Sequence, residues 1–191
     1  MRPAITRILF FVLFTGSPFY LCAQEMTRLI DSLLKVYAGS ATLETKAEKA
    51  GLLGQYYMSV DPAKAETWGK KALEDAELSR NRKAIAKANI DNGYRLSLMS
   101  GKKENIASAI VFFEESYKIA RKNNLYEEMG RSLIFLSAMN RQIPDADKAL
   151  NLASQAVSVL SNTGTASLHC LGLLSVGAAN LSKDDKLMCL K

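Results

Sequence analysis

The chain is poor in the residues that carry most enzyme chemistry. Its 191 residues include one histidine, His169, three cysteines and four prolines. A nucleophilic active site or a metal centre needs several bases or ligands side by side, and one imidazole cannot supply them. The sequence also lacks a glycine-rich phosphate loop and a Gly-x-Ser-x-Gly elbow. We therefore expect a protein that is not an enzyme and that takes no cofactor and no metal ion.

Two further absences limit the class of partner. The net charge is +6, yet the sequence has no run of five or six basic residues. Such a distribution is typical of solvated helix faces and argues against nucleic acid as a ligand. The unbroken apolar run at residues 8–14 is shorter than the roughly 20 residues that a membrane-spanning helix needs. We therefore expect no stable membrane span in this chain.

The N-terminus has the pattern of a secretory signal peptide. Arg2 and Arg7 precede that apolar run, and Ala23 provides the small residue that precedes a cleavage site. We predict cleavage between Ala23 and Gln24, which removes residues 1–23 and leaves a periplasmic or secreted protein. An uncleaved N-terminal anchor is the alternative interpretation.

The cysteines indicate free thiols. Cys22 leaves with the signal peptide, and lipid attachment to it is disfavoured because Leu21, which is not small, precedes it. Cys170 and Cys189 remain in a compartment where a disulfide is chemically allowed. We expect a helical hairpin that turns near Ser182, which places these two residues beyond the Cα separation of about 7 Å that a disulfide tolerates. Two buried thiols are therefore predicted.

Hydrophobic periodicity predicts helices throughout. Residues 25–38 follow the i, i+3, i+4, i+7 spacing of an amphipathic helix, which Gly39 ends. From Thr45 onward, helices of about 15 to 20 residues alternate with short breaks. The breaks have the chemistry of caps and turns, and they lie at Asp61-Pro62, Gly101, Asn123-Asn124, Pro144-Asp145, Asn162-Thr163-Gly164 and Ser182 with Asp185. No segment sustains a period of two, so we predict an all-α fold.

A register of small residues recurs along the chain and indicates an internal repeat. Its copies, spaced by 44 and then 40 residues, are Ala65-x3-Gly69-x2-Ala72, Ala109-x3-Phe113-x2-Ser116 and Ala149-x3-Ala153-x2-Ala156. A second register marks the first helix of each pair, at Leu53-Gly54 with Tyr57, Asn92-Gly93-Tyr94, Leu136-Ser137 with Asn140, and Val176-Gly177 with Asn180. The second pair holds about four extra residues near Lys102 to Asn105. A generic helical bundle with accidental small residues is the alternative.

These registers, Leu-Gly-x2-Tyr and Ala-x3-Gly-x2-Ala, resemble the tetratricopeptide repeat. The resemblance implies a right-handed superhelical solenoid of antiparallel helix pairs with about three and a half repeats. The order of signal peptide, N-terminal helix and repeats is similar to the order found in the secreted or periplasmic tetratricopeptide segments of Bacteroidetes-type sensor and regulator proteins. The predicted parts are a signal peptide at 1–23, an N-terminal amphipathic helix at 24–42 and a repeat domain at 43–191, with repeats at about 43–83, 84–124, 125–164 and an incomplete 165–191.

The fourth repeat is incomplete because its closing helix would run past Lys191. Repeat arrays normally end in a polar capping helix. Without one, we expect an uncovered apolar edge formed by Leu174, Val176, Leu187 and Leu190. This edge predicts either a fragment of a longer product or a docking surface through which copies of the chain self-associate.

The resemblance also implies a binding groove lined by the first helix of each pair. The inward positions that it assigns are Gln55, Met58, Lys87, Tyr94, Arg131 and Arg141. These side chains would suit a peptide of acidic character, although simple solvation of the helix faces is the plainer interpretation. Trp68 and His169 are expected to pack in the core.

The function that follows is a non-catalytic protein- or peptide-binding scaffold in the periplasm or cell envelope, either alone or as the sensor portion of a longer signalling protein. The alternative is a structural or assembly factor that oligomerises through its terminal repeat. The sequence does not identify the partner.

Overall fold

A computed structural model describes residues 17–99, 103–143, 145–161, 163 and 165–188, with side chains from residue 25 to residue 183. Within these ranges the chain forms eight α-helices and no strand, which confirms the all-α prediction. The helices are α1 (Ser17–Gly39), α2 (Leu43–Tyr57), α3 (Pro62–Ser79), α4 (Arg82–Ser97), α5 (Lys103–Lys122), α6 (Tyr126–Gln142), α7 (Ala146–Leu160) and α8 (Ala166–Met188).

At two of the predicted breaks an aspartate caps the N-terminus of the next helix. Asp61 precedes α3 and its carboxylate accepts a hydrogen bond from the Lys64 amide at 3.1 Å, with Pro62 as the first helical residue. Asp145 caps α7 through the Lys148 amide, also at 3.1 Å. Each cap satisfies an amide that the first helical turn would otherwise leave without a partner.

The helices pack in an ordered way. Each helix contacts the next one along the chain, and α2, α4, α6 and α8 also contact one another in succession. In the described part of the chain, the backbones of α3, α5 and α7 do not contact one another. The odd-numbered helices α3, α5 and α7 therefore lie on one side of a layer formed by α2, α4, α6 and α8.

The small-residue register lies at the contacts between helices. All nine of its positions in α3, α5 and α7 are buried. Small side chains expose the backbone carbonyls there to polar side chains of the neighbouring helix. Asn92 Nδ2 donates to the Gly69 carbonyl at 2.9 Å, and Ser137 Oγ donates to the Ala149 carbonyl at 2.8 Å. The register thus allows close approach and sets hydrogen bonds between helices.

The extra residues of the second pair belong to α5. This helix begins six residues before Ala109, whereas α3 and α7 begin three residues before Ala65 and Ala149. Part of the predicted insertion therefore lengthens a helix at its N-terminus. Lys102, the first residue of the predicted insertion, lies outside the described residues.

Helix α1 packs on the first pair through Tyr37. The Tyr37 ring lies edge-on to Trp68, with 5.0 Å between the ring centroids, and its hydroxyl donates to Asp75 Oδ2 at 2.9 Å. Burial and the Asp75 carboxylate raise the pKa of the Tyr37 phenol to about 12. Trp68 is partly buried and belongs to the core as expected. Since α1 starts at Ser17, it runs through the predicted cleavage position.

Helix α8 corrects three predictions. It continues through Ser182 to Met188, so the predicted turn at Ser182 is wrong. No glycine or proline interrupts this stretch, and Lys183 forms an ion pair with Asp147 of α7 at 2.9 Å. The buried face of α8 carries Leu168, Gly172, Ser175 and Ala179.

The remaining corrections follow from that face. Gly177 and Asn180 are exposed, so the fourth copy of the first-helix register is wrong. Cys170 also points away from the face and is exposed, contrary to the predicted buried thiol. Cys189 lies outside the described residues. His169 is partly buried.

The apolar edge is present where the structure describes it. Leu174 is 69% exposed, Leu171 and Leu181 are exposed beside it, and Val176 is partly buried. Of the four predicted edge residues, Leu187 and Leu190 have side chains outside the described residues.

Candidate functional site: the first-helix face

The first-helix face is the surface formed by α2, α4 and α6, the first helices of the first three helix pairs. It carries Gln55 from α2, Lys87 from α4 and Arg131 from α6, three of the six sequence-predicted site residues. Gln55 contacts Asp91 of α4, and the charges of Lys87 and Arg131 act on the same carboxyl. The three side chains therefore belong to one polar group.

Asp91 links α2 to α4. Gln55 Nε2 donates to Asp91 Oδ1 at 3.0 Å. One turn before Asp91 on the same helix, Lys87 Nζ lies 3.3 Å from Glu48 Oε2 of α2. Glu48 also accepts from the neighbouring Lys49 at 3.1 Å. Two polar contacts therefore cross the α2–α4 interface side by side.

Charges of both signs act on the partly buried carboxyl of Asp91. Burial raises the pKa of Asp91 to about 6, and the negative charge of Glu48 adds to the rise. Lys87 and Arg131 act in the opposite direction, as does the hydrogen bond from Gln55. Removal from water dominates because it penalises the charged form more than the nearby cations favour it.

A glycine makes room for this carboxyl. A Cβ atom at Gly51 of α2 would lie 2.5 Å from Asp91 Oδ2, well inside van der Waals contact. Any other residue at position 51 would force the Asp91 side chain to shift. The backbone of α2 is thus shaped to accept a carboxyl from α4.

A cavity of about 200 Å³ opens next to Asp91. Its charged lining comes from Glu44 and Glu48 of α2 and from Lys83, Lys87 and Asp91 of α4. Charged groups of both signs around a small open depression suit polar side chains of a ligand, and Lys83 and Lys87 keep their ammonium groups largely in water.

The other three predicted site residues make their contacts with other parts of the molecule. Met58 packs against the core cluster around Leu53. Tyr94 packs on Phe135, with 5.6 Å between ring centroids. Arg141 is partly buried near the end of α6, and its Nε has no hydrogen-bond partner.

Sequence reasoning missed Glu48 and Asp91. The available signal was the spacing of Lys87 and Asp91, four residues apart on one helix, which places a cation and a carboxylate on the same side. Gly51 was a weaker signal, because a glycine inside a helix costs stability unless a neighbour needs the space.

Metal sites, membrane spans and similarity to known proteins each bear on the function of this chain. The described residues contain no cluster of three or more His, Cys, Asp or Glu side chains placed to hold a metal ion. None of their helices combines the length and apolarity that crossing a bilayer requires. No protein-family model matches the chain, and no curated protein shows significant similarity to it.

Proposed function

We propose that this chain is a non-catalytic scaffold of tetratricopeptide-like helix pairs that binds a protein or peptide on the first-helix face. The observation that carries the proposal is that residues of three successive first helices act on Asp91, Gln55 through a hydrogen bond and Lys87 and Arg131 through their charges. A surface assembled from several repeats is the usual way in which a helical solenoid recognises an extended partner.

The packing order supports the solenoid part of this proposal. In a stack of helical hairpins each pair buries its apolar face only against its neighbours, so contacts fall between consecutive helices and between successive first helices. The contacts of this chain follow that pattern from α2 to α8. We further propose that the scaffold acts in the periplasm or outside the cell, either alone or as the sensor portion of a longer signalling protein.

The charges favour an acidic partner. Arg131 is exposed, and Lys83 and Lys87 present ammonium groups at the same cavity. Their present partners are Glu128 at 3.6 Å and Glu48 at 3.3 Å. The Lys87–Glu48 pair is exposed on both sides and contributes little, so a carboxylate of a bound peptide can replace Glu48 at small cost. Glu128 is buried, so Lys83 stays paired with it.

The test is site-specific photocrosslinking in cells that produce the chain naturally. A crosslinking side chain at position 131 should capture a defined protein, and Lys87→Glu in the same chain should reduce that capture at least fivefold. The matched control is the same crosslinker at Lys118, an exposed cation of α5 away from the face. Equal capture from both positions would refute the first-helix face as the binding surface. Arg141 is a poorer probe, because reversing a partly buried charge perturbs the fold itself.

A second candidate function is favoured by α8. Leu171, Leu174 and Leu181 form an exposed apolar stripe on one side of this helix. Contiguous apolar surface of this kind commonly marks an interaction surface. We propose as the alternative a structural or assembly factor whose copies associate through this stripe, and the molar mass as a function of concentration tests it.

A further inference from the structure

A second concave region lies on the opposite side of the molecule, between α3 and α5. We call it the α3–α5 groove. It encloses about 530 Å³ and has the C-terminal half of α4 as its floor. Its lining combines polar residues with the apolar side chains of Leu73, Leu96 and Phe112, and the floor presents the guanidinium of Arg95.

Arg95 is a buried cation that forms no ion pair with a described carboxylate. It is 7% exposed, and the negative charge of Glu66, which is itself paired with Lys70, acts on it. Its one hydrogen bond to a described residue runs from Nη2 to Asn92 Oδ1 at 3.4 Å, which is long, and its Nε has no partner. A buried arginine normally has a carboxylate or several acceptors around it, because removal from water without compensation is costly.

The backbone around Arg95 is shaped for this side chain. A Cβ atom at Gly69 would lie 2.8 Å from Arg95 Nε, and one at Gly54 would lie 3.6 Å from its Cδ. Asn92 is held in place since its amide donates to the carbonyls of Gly69 and Ala88. Two glycines and a fixed amide thus position a guanidinium whose hydrogen-bonding capacity is mostly unused.

We propose that the α3–α5 groove binds an organic carboxylate, with Arg95 receiving the carboxylate oxygens and the apolar side chains of the lining contacting the attached carbon chain. A guanidinium pairs with a carboxylate through parallel hydrogen bonds. Glu66 of α3 stands at the rim, held by Lys70 at 2.6 Å. Its negative charge and the single buried cation disfavour a doubly charged phosphate, so a monoanion with an apolar body fits best.

The first experiment follows the Arg95 side chain directly. In the full chain labelled with ¹⁵N, the Nε–H signal of Arg95 is assigned by its loss in Arg95→Met. N-acetyl-leucine, which imitates the C-terminus of a peptide, and hexanoate, a free fatty acid, are then titrated separately. The proposal expects one of these carboxylates to shift the Arg95 signal in a saturable way, and the one that binds more tightly identifies the source. An Arg95 signal that neither compound moves would overturn the proposal.

Calorimetric titration of variants provides the second readout. N-acetyl-leucinamide, which has no carboxylate, should bind at least tenfold more weakly than N-acetyl-leucine. Arg95→Met should weaken carboxylate binding at least tenfold, and Glu66→Gln should strengthen it severalfold because a competing negative charge is removed.

The control is Arg121→Met, since Arg121 is an exposed arginine of α5 that does not line the groove. It should leave binding unchanged. Equal binding of the acid and the amide, equal binding by Arg95→Met, or binding of inorganic phosphate in preference to both carboxylates would each refute the assignment. If Arg95→Met fails to fold, the amide comparison and the Glu66→Gln titration still decide the question.

Discussion

At the scale of single residues, Asp91 couples the first-helix face to pH. Its pKa in the folded chain is about 6, above the ordinary value of 3.8. Between these two values the folded state holds a proton that the unfolded state has released. The free energy of unfolding therefore falls as pH rises through this window. Above about pH 6 the ionised carboxylate stands partly buried beside Glu48, with Lys87 and Arg131 as its compensating cations.

Asp91→Asn should remove this pH dependence. The amide stays neutral, and its oxygen can still accept the hydrogen bond from Gln55. We expect the variant to be more stable than the parent chain at pH 8 by roughly 1 to 3 kcal/mol, from about 1.4 kcal/mol per pKa unit, and to match it near pH 4. Urea unfolding followed by circular dichroism at both pH values measures the difference. Asp31→Asn, at an exposed position of α1, is the control and should change little. A stability difference that is the same at pH 4 and pH 8 would contradict the role of Asp91.

The residues of this face show what sequence patterns can and cannot reveal. The resemblance to the repeat assigns inward positions to Gln55, Lys87 and Arg131. It assigns none to Asp91, and a lone acidic residue within a helix is usually solvated. Its importance depends on the approach of α2 at Gly51, a tertiary contact that no pattern within α4 contains. Cys170 was misassigned for the same reason, because the buried face of α8 is defined by its neighbours.

At the scale of helices, the contact between α3 and α4 depends on Gly69, which has no side chain. A Cβ atom at Gly69 would lie 2.5 Å from Asn92 Oδ1 as well as against Arg95. Asn92 cannot move away without losing its hydrogen bonds to Gly69 and Ala88. The glycine in the first copy of the register is therefore required by packing, whereas the later copies have Phe113 and Ala153 in that place.

Gly69→Ala should destabilise the chain and loosen α3 against α4. Overpacking at a fixed contact costs about 1 to 3 kcal/mol, and the better helix propensity of alanine offsets up to about 1 kcal/mol of this cost. We expect a net loss of about 1 to 2 kcal/mol. Gly177→Ala is the matched control, since a Cβ there meets nothing within 4 Å on an exposed side of α8. It should stabilise the chain by about 0.5 to 1 kcal/mol. Chemical denaturation measures both variants, and the same sign for both would contradict this account.

Helix boundaries were predictable where local chemistry determines them. Asp61 with Pro62 and Asp145 start α3 and α7, because a cap acts within one turn of the chain. The supposed capping box at Ser182 failed. Serine followed three residues later by an acid is compatible with a helix interior when packing continues across it, and Lys183 pairs with Asp147 on α7.

At the scale of the whole molecule, the packing order leaves α8 with one covered side. Helix α2 lies between α1 and α4, α4 between α2 and α6, and α6 between α4 and α8. Within the described residues, α8 contacts α6 and α7 alone. Its buried stripe of Leu168, Gly172, Ser175 and Ala179 faces those two helices. The opposite flank, with Leu174 at its centre, is exposed among the described residues and is the surface that we propose for a second copy of the chain.

Leu174→Glu should abolish self-association while leaving the fold intact. Leu174 is 69% exposed, so an exposed glutamate there should change the free energy of unfolding by no more than about 0.5 kcal/mol. In an association interface the same glutamate would have to lose its hydration, which disfavours the complex. Light scattering over a hundredfold range of concentration should show a rising molar mass for the parent chain and a constant monomer for the variant. Val111→Glu is the control, because Val111 is 64% exposed on α5, a different helix, and should associate like the parent chain. A parent chain that stays monomeric throughout, or a Val111→Glu variant that also dissociates, would show that the α8 stripe does not mediate association and would leave the first-helix face as the interaction surface of this molecule.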